Sequence, residues 1–210
     1  MSRITYMQSF TVIVGVLLLM NCGGPSQPDE NDTDLLEQAW SMYHIDDWSA
    51  ALTSFSDLLA TGEVSSEAYT GMGYCQLHLF LPQESAQSFQ AAVNLNSWLV
   101  NSRAGLIFAQ RELEPVNYDA LREEAASLIQ LDPDWIFVHE TDINWLDLQL
   151  VRAQCSFYLG DFTACLQLLT TINPNLTLSE TDSSSWDPWP TFTEALLHTL
   201  EEYTLLYGDS

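Results

Sequence analysis

Hydrophobic and polar residues follow three different patterns along the chain. Residues 10–20 form a nearly continuous apolar run, and residues 23–34 carry no apolar side chain except proline. From residue 35 to residue 207, apolar positions recur at the spacing of amphipathic helices, in runs of roughly 12 to 18 residues separated by prolines and turn residues. No alternating strand pattern is sustained. The sequence therefore predicts an all-α body over residues 35–207, preceded by two segments of a different kind.

The helical body contains an internal repeat with a period of 34 residues. Small residues and aromatic residues recur at matching places in "EQAWSMYHIDDWSAALTSF" and "GMGYCQLHLFLPQESAQSF". The matched pairs are Ala39 and Gly73, Ala51 and Ser85, Phe55 and Phe89, Trp40 and Tyr74, and His44 and His78. Equal spacing among imperfect copies indicates stacked structural repeats rather than one irregular bundle.

Two further copies follow. The clearer one is "RAQCSFYLGDFTACLQLL", in which Ala153 and Cys165 take the small positions and Gly160 lies in the turn. The weaker one matches Gly73 with Ala109, 36 residues later, and the next spacing, from Ala109 to Ala153, is 44. The longer spacing predicts an insertion between the third and fourth copies, after Pro133 and through Asp142.

These features resemble the tetratricopeptide repeat, a helical hairpin whose small residues let its two helices approach closely. The resemblance implies an all-α, right-handed solenoid of about four hairpins. The last predicted helix, Thr191 to Tyr207, would cap the apolar end of the solenoid.

The resemblance also implies a partner-binding groove, because in this family the outward residues of each first helix line the concave surface. The matching positions with the strongest contact chemistry are Trp40, Tyr43, His44, Tyr74, His78, Arg103, Gln110, Gln154 and Tyr158. Leu77, Glu114, Asp147 and Phe157 occupy further matching positions. Aromatic, arginine and glutamine side chains suit a protein contact, and the alternative is that several of them pack against the next repeat or the cap.

The N-terminal segment resembles a bacterial lipoprotein signal. The apolar run is too short for a comfortable membrane span, and it is followed by Leu19-Met20-Asn21-Cys22 and then Gly23. The resemblance implies cleavage before Cys22 and lipidation of that cysteine, which would anchor the chain stably in a membrane. The predicted organisation is a signal peptide at residues 1–21, a flexible acidic tether at residues 22–34 and the repeat domain at residues 35–207.

The charge balance narrows the choice of partner. The chain has 29 acidic residues against five basic ones, all arginine, for a formal net charge of −24. Nucleic acid is excluded as a partner, because neutralising phosphates requires basic groups. A basic or extended segment of another protein fits the charge, although a plainly solvated acidic surface is the simpler interpretation.

Catalytic and cofactor motifs are not encoded. The four histidines form no metal-binding pair on one helix, no Gly-x-Ser-x-Gly elbow occurs, and no glycine-rich phosphate loop is present. The prediction is a protein without enzymatic activity, cofactor or metal. Cys155 and Cys165 lie on facing helices, so either a disulfide or two buried free thiols is compatible with the sequence.

The sequence thus predicts a non-catalytic, membrane-tethered adaptor of the bacterial cell envelope. Gly23, rather than aspartate, follows the cysteine, which favours the outer membrane. The alternative is a surface lipoprotein that binds a glycan or peptide ligand. Known glycan-binding lipoproteins with helical repeats are much longer and carry large inserted loops.

Overall fold

The computed structural model describes residues 30–62 and 65–208, which form nine α-helices joined by turns and loops. The helices are α1 (Glu30–Tyr43), α2 (Trp48–Ala60), α3 (Ser66–His78), α4 (Pro82–Leu95), α5 (Val100–Arg111), α6 (Tyr118–Leu131), α7 (Trp145–Tyr158), α8 (Phe162–Ile172) and α9 (Phe192–Tyr207). A short 3-10 helix, Ser183–Trp186, precedes α9.

Successive helices pack as hairpins, α1 with α2, α3 with α4, α5 with α6 and α7 with α8, and α9 closes the row. The predicted all-α solenoid of four hairpins and a terminal helix is confirmed. Across residues 30–62 and 65–208, extended pairing is limited to one isolated bridge between Ile136 and Asn144. None of the helices described is both long enough and apolar enough to cross a membrane.

The N-terminal predictions lie mainly outside the described residues. The signal peptide at residues 1–21, the lipidated Cys22 and residues 23–29 belong to this part of the chain. Helix α1 begins at Glu30, inside the segment predicted as a tether. Once a helix is nucleated, each added residue gains a backbone hydrogen bond at small entropic cost, so α1 extends beyond its amphipathic stretch.

Asx residues start the second helix of three hairpins. Asp47, Asn117 and Asp161 each accept a hydrogen bond from the backbone N–H three residues ahead, at 3.1, 3.2 and 3.1 Å. Such caps contribute about 1 kcal/mol each. Helix α4 instead begins with Pro82 in its first turn, where a missing N–H costs nothing.

Glycines allow the hairpins to stack closely. A Cβ on Gly71 would lie 2.3 Å from the Phe55 ring, and one on Gly105 would lie 2.2 Å from the Phe89 ring. Each phenylalanine thus wedges against the first helix of the next hairpin. Gly105 follows Gly71 by 34 residues, so the first helices keep the period of 34 into the third hairpin. The sequence match of Gly73 with Ala109, 36 residues apart, was therefore wrong, because the two extra residues lie between α5 and α6.

The buried side chains form two clusters. The larger spans α1 to α7, and the smaller joins α7, α8 and α9 and includes the partly buried Trp186. Cys75, Cys155 and Cys165 are buried and free, so the disulfide that the sequence left open is not formed. Burial raises the pKa of the Cys75 and Cys165 thiols to about 12, which keeps them protonated and unreactive.

Candidate functional site

The first helices of the hairpins form the concave surface of the solenoid. Helix α1 lies on α3, α3 on α5, and α7 on α9. Residues 132–144, which connect α6 to α7 and which we call the inserted segment, cover the N-terminal half of this surface. The insertion that the spacing predicted is thereby located in the fold.

The inserted segment is a series of turns that folds back on itself through the antiparallel bridge between Ile136 and Asn144, and in its first part alternate side chains are buried and exposed. Trp135 and Phe137 are 3% and 0% exposed, whereas Ile136 and Val138 are 50% and 71% exposed. The Trp135 indole N–H donates to the Asn101 side-chain oxygen at 2.8 Å and thereby ties the segment to α5. A non-helical stretch of this chain therefore occupies part of its own concave groove.

Aromatic stacking holds the middle of the inserted segment. The Phe137 ring stacks on Tyr74 with centroids 4.0 Å apart, and it meets Trp40 edge-on at 6.1 Å. The His139 ring lies parallel to Trp40 at 3.5 Å, with His44 beyond it at 5.5 Å. Burial, and secondarily the charge of His44, lowers the pKa of His139 to about 4, so this imidazole is neutral at physiological pH.

A polar cluster fixes the end of the inserted segment. The Tyr43 hydroxyl donates a short hydrogen bond to the Glu140 carboxylate, and His78 Nε2 lies 2.9 Å from the same oxygen. The His78 ring also stacks on Trp48 at 3.9 Å. Burial disfavours the ionised form of Glu140, but the hydrogen bonds from His78 and Tyr43 outweigh it and lower the pKa of the carboxyl.

Three predicted groove residues belong to the core. Trp40, Tyr43 and Tyr74 are 6%, 1% and 0% exposed. The prediction that they offer contact surface to a partner is wrong, because the inserted segment covers them. Of the two histidines at matching positions, His78 is half-buried in the polar cluster and His44 is exposed.

Two other predicted groove residues face away from the concave surface. Arg103 Nε donates to Glu124 of α6 at 2.6 Å, and Gln110 lines a surface pocket beside Gln87 of α4. The mistaken spacing of 36 residues explains both errors. With the period of 34, the counterparts of Tyr74 and Leu77 are residues 108 and 111, which do line the groove.

The C-terminal half of the concave surface is open. Two adjoining cavities of about 510 and 660 Å³ share Arg111 and Glu112. We call this surface the open groove; its characteristic residues are His78, Phe80, Phe108, Arg111, Glu112, Glu114, Tyr118, Gln154, Tyr158, Glu201 and Leu205. Gln154 and Tyr158 were predicted from sequence, and the structure brings them together here.

Stacked tyrosines from two helices form the centre of the open groove. The rings of Tyr118 and Tyr158 lie 4.9 Å apart at an angle of 21°, and Tyr158 is 61% exposed. Gln154 donates from Nε2 to the Thr204 hydroxyl at 3.1 Å, which joins α7 to the cap helix. Aromatic rings at the floor of a groove are typical contact residues.

Sequence reasoning missed several groove residues that lie outside the first helices. Tyr118 opens α6, Leu205 belongs to α9 and is 86% exposed, and Phe80 lies in the α3–α4 turn at 90% exposure with φ of 57°. A phenylalanine in this left-handed region is uncommon. Asp46 occupies the same position in the preceding hairpin turn, 34 residues earlier, and it also has a positive φ. The period of 34 could therefore have identified Phe80 as a turn residue.

Of the four further positions that matched the repeat, two line the open groove and two have structural roles. Leu77 and Glu114 line the open groove, whereas Phe157 packs on Phe162 of α8, with ring centroids 5.3 Å apart. Asp147 is buried and accepts from the Asn144 backbone N–H at 2.8 Å, which caps α7. Over residues 30–62 and 65–208, no group of three His, Cys, Asp or Glu side chains is arranged to hold a metal ion.

Comparison with known proteins gives likeness of fold without close likeness of sequence. No family model and no curated protein matches the sequence. The chain is similar to a tetratricopeptide repeat protein from Parabacteroides merdae, with a TM-score of 0.56 and 13% identity over 83% of this chain. It spans 62% of that protein.

Two further solved structures match over nearly their whole length. The MamA protein gives a TM-score of 0.58 at 14% identity, covering 86% of this chain and 97% of that one. A thermophilic TPR protein of Thermus thermophilus gives 0.52 at 14% identity, covering 85% and 93%. The stacked hairpins and these likenesses together show that the chain has a tetratricopeptide-repeat-like fold.

Proposed function

We propose that this protein is a non-catalytic adaptor, tethered to a bacterial membrane by a lipid on Cys22, whose open groove binds an extended segment of a partner protein. The observation that carries the proposal is the pair of stacked, accessible tyrosines, Tyr118 and Tyr158, in the floor of the open groove. A groove of this fold is a surface for protein contacts, and function beyond that rests on analogy.

The inserted segment supports a non-helical partner segment. In the covered half of the concave surface, residues 132–144 form no helix, and Trp135 and Phe137 are buried while Ile136 and Val138 are exposed. A partner segment would likewise place aromatic or aliphatic side chains into the neighbouring half. Its inward side chains would pack on the tyrosines and on Phe80.

Charge supports a basic partner. Glu112, Glu114 and Glu201 line the larger cavity of the open groove, and Arg111 is the one basic side chain among its lining residues. With a net charge of −24, the chain as a whole attracts basic proteins and repels acidic ones. The proposed partner segment therefore combines basic and aromatic or aliphatic residues.

A photo-crosslinking experiment tests the groove. A benzophenone amino acid replaces Tyr158 in one variant and Trp98 in the other; Trp98 is 76% exposed but does not line the open groove. We expect a discrete crosslinked product in native cells from position 158 only, and we expect Tyr118→Ala to reduce its yield about tenfold. Equal products from both positions, or none from position 158, would contradict the proposal.

Fractionation and mass spectrometry test the tether. The proposal expects wild-type protein in the membrane fraction, with an N-terminal peptide that begins at Cys22 and carries acyl chains. Cys22→Ser should prevent processing and acylation, whereas Asn21→Ser should keep both. An intact Met1 without lipid on the wild-type protein would refute the tether and leave the groove proposal unaffected.

A further inference from the structure

A second cleft lies on the convex side of the solenoid, where α7 passes between α6 and α8. Its volume is about 530 Å³, far above the roughly 30 Å³ that one water occupies in the liquid. We call it the convex cleft; the polar side chains that concern its chemistry are Arg122, Gln149, Arg152, Ser156, Gln167 and Thr171. None of them lines the open groove.

Arg152 has no counterion among the described residues, although the chain is rich in acids. Arg103, Arg111 and Arg122 lie 2.6, 3.0 and 3.3 Å from their respective carboxylates. Within residues 30–62 and 65–208, no carboxylate lies within salt-bridge distance of Arg152. Its Nη1 donates to Gln149 Oε1 at 2.8 Å, and its buried Nε has no acceptor in the part of the chain that the structure describes.

Ser156 lies one helical turn after Arg152, on the same face of α7. Its side chain is 0% exposed, and its hydroxyl has no hydrogen-bond partner within the described part of the chain. Buried polar groups are nearly always paired, so two adjacent orphaned donors at one cleft are unusual. Because both residues line the same cleft, one missing acceptor accounts for both.

The positive charge of Arg152 and Arg122 is also incompletely neutralised by neighbouring carboxylates. Burial, together with the nearby charge of Arg122, lowers the pKa of Arg152. Arg122 itself has two long contacts, to Asp119 at 3.3 Å and to Asp161 at 3.4 Å, and both carboxylates are well exposed. Pairs of this kind are screened by solvent and leave much of the guanidinium charge available. Glu123 also lines the cleft, and it too is exposed.

We propose that the convex cleft binds a small oxyanion, either inorganic phosphate or an organic carboxylate, whose oxygens accept hydrogen bonds from Arg152 and Ser156. Guanidinium groups bind such oxygens through paired N–H donors, and Arg122 supplies a second cation at the mouth of the cleft. The serine hydroxyl donates a further hydrogen bond from below.

The proposed binding requires a local movement. In the free chain the Arg152 Nε and the Ser156 hydroxyl are buried, whereas Arg152 as a whole is only partly buried and lines the cleft. The Arg152 side chain would turn towards the anion, and among the described contacts this gives up one hydrogen bond, to Gln149.

The test is a calorimetric titration of the purified full chain with sodium phosphate and, separately, with sodium succinate at constant ionic strength. We expect saturable binding of at least one anion. Arg152→Gln should raise its Kd at least about tenfold, because a charge-assisted hydrogen bond is lost. Ser156→Ala should raise it about threefold, the effect of one neutral donor. Arg103→Gln, which makes the same change in net charge, should leave the Kd unchanged.

Each result bears on the proposal. Binding of phosphate alone assigns the cleft to phosphate groups, and binding of succinate alone assigns it to carboxylates. No saturable binding of either anion, or an equal loss in Arg152→Gln and Arg103→Gln, would overturn the site. So would a lower thermal midpoint of Ser156→Ala without anion, because a hydroxyl without a partner contributes no hydrogen bond to lose. The crosslinking at Tyr158 is independent of all these outcomes.

Discussion

Phe137→Ala should lower the free energy of unfolding by about 4 kcal/mol, the largest effect that we expect from one substitution in this protein. The Phe137 ring is 0% exposed and lies between Tyr74 and Trp40 in the covered half of the groove. Truncation leaves a cavity that the flanking aromatic rings cannot fill without leaving their rotamers. Urea denaturation followed by circular dichroism measures the change.

The neighbouring residue provides a matched control. Val138 is 71% exposed, and Val138→Ala should change the free energy of unfolding by less than about 0.5 kcal/mol. If both variants lose equally little stability, the inserted segment is not part of the core. Partner contact through Trp40 and Tyr74 would then become possible again.

Glu140→Ala should lower the free energy of unfolding by about 2 kcal/mol at pH 7, because it removes the carboxylate that accepts from the buried Tyr43 hydroxyl and leaves that hydroxyl only His78 Nε2, at 3.1 Å. The same change removes the carboxylate from His78. The side chain of Glu140 is 23% exposed, so water can reach the vacated position and keeps the loss below that of a fully buried pair. Asp142→Ala is the control, because Asp142 is exposed in the same segment.

The pH dependence of this loss identifies its cause. The folded-state pKa of Glu140 lies below its ordinary value of 4.5, so its ionised form stabilises the folded chain fully above about pH 4.5. This contribution is lost as the pH falls through the folded-state pKa. The difference between wild type and Glu140→Ala should therefore shrink below pH 4.5. A difference that stays constant down to about pH 3 would show that lost packing, not the charge, is responsible.

His139 adds a second acid-sensitive contribution that both proteins share. Its pKa falls from 6.5 to about 4 on folding, so the unfolded chain binds a proton first as the pH drops from 6.5 towards 4. Both wild type and Glu140→Ala should lose stability in this range. Because the loss is common to both, it cancels in their difference.

The repeat pattern made the fold predictable from sequence. A period of 34 with small residues at Gly73 and Ser85 requires close helical pairs, and the structure places Ser85 within hydrogen-bond distance of the Gly73 carbonyl, at 2.8 Å. Helix starts also depend on local signals such as Asp47 and Asp161, whose capping involves a few neighbouring residues. These features are local in the chain, and a single sequence records them directly.

The site was only partly predictable, because burial on the concave surface depends on a contact distant in sequence. Glu140 meets Tyr43 across 97 positions of the chain. The longer spacing between the third and fourth copies indicated an insertion after Pro133 and through Asp142. It did not indicate which surface the insertion covers.

The sequence by itself determined the all-α repeats, the period, the insertion and the acidity, since each depends on residue type and spacing along the chain. The tertiary structure alone decided which half of the groove is open, because residues 132–144 pack on α1, α3 and α5. It also decided that Arg152 lacks a counterion within the described residues despite 29 acidic residues in the chain. Both outcomes depend on the distances between side chains in space, and these are set only when the hairpins stack.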